Sequence, residues 1–112
     1  MENSEPIELT DETFEQEVIY SKVLVLVDFW ATWCTSCQAV ALILDKMAEL
    51  YAGRLKVCKM NIEEGQTVAM RYGVMSVPTL NFFKDGNMID RVTGVTPNYE
   101  SDLKQKIESH LD

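Results

Sequence analysis

The sequence has few cysteines, no basic patch and no long apolar run, and each absence excludes a class of protein. Three cysteines among 112 residues are too few for a scaffold held by disulfides, and their number is odd. No apolar stretch approaches the roughly 20 residues that a membrane-spanning helix needs, so we expect no membrane association. The net charge is −8. Without a basic patch to neutralise phosphates, a nucleic-acid partner is disfavoured.

The N-terminal segment is acidic from its start. Residues 1–17 carry seven acids and no base, whereas a secretory signal needs a basic start and an apolar core. We therefore expect a cytoplasmic protein. In that reducing compartment, two closely spaced cysteines are more often catalytic or metal-binding than structural.

Changes in hydrophobic period divide the chain into strands and helices. Residues 22–30 and 55–62 are apolar almost throughout, which is typical of strands buried on both faces. Two later strands are joined at Asp85-Gly86, a hairpin signal. Helical spacing of apolar residues follows Cys34 and recurs over 67–72.

Capping signals mark two further helices. Thr10 is predicted to cap a short helix with Asp11 in its first turn, and Thr96-Pro97 to begin the last helix. The resulting order is β-α-β-α-β-α-β-β-α, in a single domain over residues 1–112. Early alternation favours parallel strand pairs, so the fold class is α/β, with one mixed sheet and helices on both faces.

Cys34 and Cys37 lie where the first buried strand gives way to the long helix. The positive end of that helix should hold the pKa of Cys34 below the free value of about 8.5. Their spacing lets the two sulfurs reach disulfide geometry, and Cys37 should be the more buried. We therefore predict that Cys34 attacks a substrate disulfide and that Cys37 resolves the mixed disulfide.

Asp28 is a carboxylate in the middle of an apolar strand. Burial would raise its pKa toward the range useful for acid–base catalysis, so we interpret Asp28 as the proton acceptor for Cys37. The alternative is a strand-end position that reaches solvent. Lys59 is a charge within the second buried strand, and it would moderate the pKa of Asp28 if the two strands are neighbours.

The segment VDFWATWCTSC, residues 27–37, resembles the active-site segment of the thioredoxin family, whose usual form is VDFWAxWCGPC. The segments KMNIEE, YGVMSVPTLNFFKDG and VTG match the same family in the same order, and together they span nearly the whole chain. The resemblance implies a thioredoxin fold, with a central mixed five-stranded sheet flanked by four helices. It also implies a monomeric protein-disulfide oxidoreductase.

The resemblance also implies roles for single residues. Cys34 matches the exposed nucleophile, Cys37 the resolving cysteine, Asp28 the buried acid and Lys59 its lysine neighbour. Trp30 matches the tryptophan packed beneath the site. The expected substrate-binding surface is apolar and consists of Trp33, Met75, Val77, Pro78, Gly94 and Val95. Within it, Pro78 matches a cis-proline, Val77 offers its backbone to an extended substrate, and Gly94 keeps the groove wall low.

Between the cysteines the sequence departs from the family, because Thr35-Ser36 replaces the usual Gly-Pro. Loss of the proline frees a backbone amide, and Ser36 adds a hydroxyl that can donate to a Cys34 thiolate. We therefore expect a reduction potential more oxidising than the thioredoxin value of about −270 mV. Leu42 replaces a helix-kinking proline, which predicts a straighter helix.

The expected partners are disulfide-containing proteins and a thioredoxin reductase, which would supply electrons without a cofactor in this chain. Three alternatives remain at this point. The cysteine pair could be half of a zinc site completed by Cys58 and His110, although no second cysteine pair is present. The protein could instead be a disulfide oxidase or isomerase, or a binding subunit with secondary redox activity.

Overall fold

The computed structural model describes residues 4–111, and within them five strands form one sheet. Residues 1–3 and 112, at the ends of the predicted domain, lie outside the described residues. The strands are β1 (Ile7–Glu8), β2 (Leu24–Trp30), β3 (Leu55–Asn61), β4 (Thr79–Lys84) and β5 (Asn87–Thr93). The helices are a π-helix (Glu15–Ile19), α1 (Thr35–Leu50), α2 (Gln66–Arg71) and α3 (Tyr99–His110). This order confirms the predicted one.

The sheet is mixed, with the strand order β1-β3-β2-β4-β5. β3 pairs in parallel with both β1 and β2. β4 is antiparallel to β2 and to β5. The two strands that read as apolar runs are therefore the central β2 and its neighbour β3, in agreement with the expected burial on both faces.

Alternate residues of β2 belong to two separate cores. Leu24 and Leu26 pack against α1 and α3, whereas Val25, Val27 and Phe29 pack against the π-helix and α2. Helices therefore cover both faces of the sheet, as predicted. Because side chains alternate along a strand, Asp28 points to the same face as Leu26, beneath α1 and α3.

The first helical segment differs from its prediction. Thr10 Oγ1 accepts a hydrogen bond from the N–H of Thr13 at 3.2 Å, but this bond closes a turn, and the π-helix begins later, at Glu15. Asp11 caps a different helix. Its carboxylate accepts from two backbone N–H groups at the start of α2, including that of Val68 at 3.1 Å. Asp11 and α2 are far apart in the sequence, so the local spacing of residues could not indicate this cap.

The last helix also begins later than predicted. α3 starts at Tyr99, so Pro97 precedes the helix instead of occupying its first position. The hairpin prediction is confirmed, since Asp85 and Gly86 both have positive φ, 53° and 81°, as a tight turn between β4 and β5 requires. α1 continues unbroken through Leu42.

Candidate active site

The Cys34–Cys37 pair occupies the junction between β2 and α1 and forms a disulfide with a Cα–Cα distance of 5.3 Å. Cys34 is the N-cap of α1, and its Sγ accepts a hydrogen bond from the N–H of Cys37 at 3.3 Å. A backbone amide of the first helical turn thus points at this sulfur. Such an arrangement favours negative charge on Cys34 once the disulfide is reduced.

The exposure of the two cysteines does not separate their roles. Cys34 is 6% exposed and Cys37 is 5% exposed, so both are buried and the expected greater burial of Cys37 amounts to one percentage point. Both pack into a small apolar cluster with Ala31, against which Trp30 and Val77 also pack. Position on the helix, rather than burial, therefore distinguishes the two sulfurs.

The residues between the cysteines are exposed at the start of α1. The Ser36 hydroxyl lies 3.6 Å from Cys34 Sγ, within reach of a hydrogen bond to sulfur. Thr35 is the first residue of the helix. Of the two, Ser36 is thus the one whose side chain reaches the reactive sulfur.

Asp28 is completely buried, which excludes the alternative that it reaches solvent at a strand end. Within the described part of the chain, neither oxygen of its carboxyl group has a hydrogen-bond partner. Burial raises the pKa of Asp28 to about 7, against an opposing effect of the Lys59 charge and a smaller reinforcement from Glu8. An acid with this pKa exchanges a proton near neutral pH.

Lys59 lies directly opposite Asp28 in the register of the parallel strands β2 and β3. Its ammonium group stacks on the Trp30 ring, with Nζ 5.2 Å from the ring centroid. Among the ion pairs within residues 4–111, none joins Lys59 to Asp28. Lys59 therefore acts on Asp28 through its field, as the predicted moderator of the pKa.

Glu8 is a contributor that the sequence pattern did not indicate. It stands opposite Lys59 on β1, so Glu8, Lys59 and Asp28 form one row across three strands. Because β1 has only two residues, it carries almost no periodic signal. The alternation of Ile7, Glu8 and Leu9 is its only trace in the sequence.

The opposite wall of the site is formed by two loops. The Val77-Pro78 peptide bond is cis, and the carbonyl of Pro78 accepts a hydrogen bond from the N–H of Gly94 at 3.2 Å. Gly94 has a φ of 78°, which favours glycine, and a Cβ added there would meet no atom within 4 Å. A side chain at this position would therefore extend into the space above the wall.

Exposed apolar side chains stand around the cysteine pair and the cis-proline. Trp33 is 67% exposed, Met75 is 94% exposed and Val95 is 47% exposed. Val77 is half-buried against the cysteines, and Pro78 is buried. The structure thus places Val77 at the dithiol and leaves the side chains of Trp33, Met75 and Val95 open to solvent.

A cleft of about 280 Å³ opens beside the disulfide, on the side of α1. It is lined by both cysteines, Trp30, Ala31, Thr32, Gln38, Ala41 and Lys59. The cleft reaches the two residues that flank Asp28, namely Trp30 on its own strand and Lys59 on the next. Gln38 and Ala41, both on α1, were not predicted as site residues, because nothing in their local sequence indicates that they line a cleft with Lys59 of β3.

The zinc alternative gains no support from the structure. Cys58 is buried on the other face of the sheet, and burial raises the pKa of its thiol to about 12. His110 is hydrogen-bonded to Asp90, with Nε2 2.9 Å from Oδ2, so its ring is engaged at the C-terminal end of α3 rather than with the cysteine pair. Within residues 4–111, no three His, Cys, Asp or Glu side chains lie close enough together to hold a metal ion.

A cysteine pair at a helix start, with a buried acid on the preceding strand and a cis-proline in the facing wall, is an arrangement suited to exchanging electrons with other disulfides. Comparison with known proteins specifies the family. The thioredoxin family model matches residues 5–109. The chain therefore belongs to the thioredoxin family, and it is a protein-disulfide oxidoreductase whose redox group is the Cys34–Cys37 pair.

Individual relatives agree with this assignment. Thioredoxin 1 of Nostoc sp. is 48% identical over 104 residues, which cover 93% of this chain and 95% of that one. The thioredoxin of Pseudomonas aeruginosa is 50% identical over 82 residues, covering 73% and 76% of the two chains. Among solved structures, a mutant thioredoxin from Halobacterium salinarum superposes with a TM-score of 0.89 at 34% identity, covering 100% and 96% of the two chains. The predicted fold is thereby confirmed.

Among residues 4–111, no helix combines the length and the apolar character that crossing a membrane requires.

Proposed function

We propose that this protein reduces disulfides of other proteins in two steps, with Cys34 as nucleophile and Cys37 as resolving thiol. The Cys34 thiolate attacks a substrate disulfide, forms a mixed disulfide and releases one substrate sulfur as a thiolate. Cys37 then attacks Cys34 Sγ, which releases the second substrate thiolate and leaves the Cys34–Cys37 disulfide. The substrate gains two electrons, which the dithiol loses. The position of Cys34 at the N-cap of α1 carries this assignment.

In this scheme the proton of Cys37 passes to Asp28. Only the ionised carboxylate can accept it, and a pKa of about 7 leaves a large share of Asp28 ionised at neutral pH. Lys59 keeps that pKa from rising further. The cleft beside the disulfide, lined by Lys59 and Trp30, gives protons a path from solvent to the neighbourhood of Asp28.

The substrate surface in this proposal consists of Trp33, Met75, Val77, Pro78, Gly94 and Val95. Its side chains are apolar and uncharged, so it suits extended or flexible protein segments better than a charged metabolite. Within residues 4–111 the backbone of Val77 pairs with no other backbone group. It is therefore free to pair with a substrate strand next to the dithiol.

Thr35 and Ser36 are proposed to set the reduction potential. The hydroxyl of Ser36 lies near enough to donate to the Cys34 thiolate, and no proline removes the backbone amide at its position. Both effects stabilise the reduced form and make the protein more oxidising than a thioredoxin with Gly-Pro at these positions. A sufficiently high potential would favour the oxidase or isomerase direction.

The proposed chemistry also requires an electron donor and a reducing compartment. The dithiol must be regenerated after each turnover, so we propose that a separate reductase of the thioredoxin reductase type supplies the electrons. The chain itself would act as a single-domain monomer without a prosthetic group. Its place would be the cytoplasm, where reductants are maintained.

Reduction of insulin with dithiothreitol as electron source tests the proposal. Insulin precipitates as its disulfides break, and the wild-type protein should accelerate this, whereas Cys34→Ser should be inactive. Cys58→Ala is the matched control, because Cys58 is the only other cysteine and lies buried away from the site. Equal rates for wild type and Cys34→Ser would refute the assignment.

A further inference from the structure

Tyr99, at the start of α3, carries a buried hydroxyl group that the proposed mechanism does not use. Its side chain is only 5% exposed, and its oxygen has no hydrogen-bond partner within residues 4–111. The carboxyl group of Asp28 is in the same condition. A buried polar group without a partner is costly, so two such groups in one region point to a common cause.

The packing places Tyr99 on the side of the sheet to which Asp28 points. Tyr99 belongs to the same core cluster as Leu26 and Leu80. Leu26 precedes Asp28 by two residues on β2 and therefore shares its face. Leu80, on β4, is the residue directly opposite Asp28. The phenol thus enters the core among the side chains that enclose the acid.

The electrostatics agree with this placement. Burial raises the pKa of Tyr99, and the negative charge of Asp28 raises it further. The phenol therefore stays protonated through the range in which Asp28 titrates, and it remains a hydrogen-bond donor throughout. Since no direct bond joins the two groups, a single buried water molecule is the simplest bridge, because it can satisfy both.

We propose that Tyr99 is a positioning residue for Asp28, whose hydroxyl donates a hydrogen bond through one buried water to the carboxylate. This inference rests on the proposed role of Asp28 as proton acceptor. A donor stabilises the ionised form, so Tyr99 opposes the effect of burial and keeps Asp28 available as a base at neutral pH. The other charged groups around Asp28 are Lys59 and Glu8 on the neighbouring strands, whereas β4 contributes apolar Leu80. The titratable Cys37, on α1, lines the same cleft as Lys59 and Trp30.

The test compares Tyr99→Phe with wild type by following the carboxyl carbon of Asp28 in a pH titration by NMR. Loss of the donor should raise the pKa of Asp28 by about 0.5 to 1 pH unit. The rate of mixed-disulfide resolution at about pH 7 should then fall roughly twofold to fivefold, because less Asp28 is ionised. An unchanged or lower pKa in Tyr99→Phe would overturn the inference.

Tyr51→Phe is the matched control. Tyr51 is buried in the same core cluster, but its hydroxyl donates to Glu108 at 2.6 Å. Its removal should therefore leave the titration of Asp28 unchanged. If both variants shift the pKa of Asp28 equally, the effect is one of general packing and the specific role of Tyr99 is refuted.

A second measurement needs no tyrosine variant. In wild type, the ring carbon bonded to the Tyr99 hydroxyl should shift with the same midpoint as Asp28, and this shift should vanish in Asp28→Asn. Its absence in wild type would overturn the inference even if Tyr99→Phe failed to fold. If Asp28 itself titrates near its ordinary value of about 4, the proposed function of Asp28 fails instead. The two failures are therefore distinguishable.

Discussion

Asp28 and Lys59 face each other on the parallel strands β2 and β3, yet the ammonium of Lys59 lies over the Trp30 ring instead of pairing with the carboxylate. The positive charge is therefore close enough to lower the pKa of Asp28 but does not cancel the effect of burial. A direct ion pair would fix Asp28 in its ionised form. The observed arrangement leaves it able to gain and lose a proton near neutral pH.

The raised pKa of Asp28 predicts that Asp28→Asn changes the pH dependence of stability. The unfolded chain loses this proton near the ordinary pKa of 3.8, and the folded chain loses it only near 7. Wild-type stability should therefore fall as pH rises between these values, and the penalty should be complete above about 7. The variant lacks this loss.

The unfolding free energy of Asp28→Asn minus that of wild type should thus increase by about 4 kcal/mol between about pH 4 and pH 8. Urea unfolding at several pH values measures the difference. Parallel pH profiles for the two proteins would show that Asp28 titrates normally in the folded state.

The row across β1, β3 and β2 predicts an effect of Glu8 on Asp28. Glu8 raises the pKa of Asp28, so Glu8→Gln should lower the midpoint of the Asp28 titration. Because Glu8 is exposed, solvent screens it, and we expect a decrease of only a few tenths of a pH unit. Glu5→Gln, a change of the same charge at an exposed position before β1, should have no effect. An upward shift in Glu8→Gln would contradict a field from Glu8 that opposes ionisation of Asp28.

The contact between Ser36 and Cys34 predicts a change in redox potential. The wild-type potential should lie above about −270 mV, and Ser36→Ala should lower it by about 10 to 30 mV, because the thiolate loses a hydrogen-bond donor. Equilibration with glutathione or dithiothreitol measures both values. Ser101→Ala, an exposed substitution on α3, serves as control. A wild-type potential at or below about −270 mV would refute the proposed role of the Thr35-Ser36 pair.

Two exposed methionines allow a matched test of the substrate surface. Met75 is 94% exposed beside the cis-proline, and Met70 is 80% exposed on α2. Met75→Glu should lower kcat/KM for a protein disulfide by about fivefold to tenfold, because it places a charge among apolar contacts. The rate at which the reduced variant reacts with a small disulfide, such as oxidised dithiothreitol, should be nearly unchanged. If Met70→Glu impairs insulin reduction as much as Met75→Glu, Met75 has no special place in the surface.

Much of the fold could be predicted from the sequence because its signals are local. The continuous apolar run of β2 indicated a central strand, and Asp85-Gly86 indicated the hairpin. Errors arose where a distant partner decides the outcome. Asp11 caps α2, 56 residues further along the chain, rather than its own segment. α3 begins at Tyr99, two residues after Pro97, with the Tyr99 side chain in the core.

The same distinction applies to the site. Cys34, Cys37 and Asp28 stand out in the sequence because reactive or charged residues in an apolar context are seldom there for packing alone. Glu8 and Tyr99 do not stand out, since one looks like an ordinary surface acid and the other like a core aromatic. Their relation to Asp28 exists only through strand register and core packing.

The central claim, that Cys34 attacks and Cys37 resolves, is tested most directly by trapping the mixed disulfide. Cys37→Ser should accumulate covalent adducts with a disulfide-containing protein, and peptide mass spectrometry should locate every adduct bond at Cys34. Cys34→Ser should accumulate few or none, because Cys37 lacks the N-cap position that activates Cys34. Adducts that form equally well in Cys34→Ser, or that join through Cys58, would contradict the account.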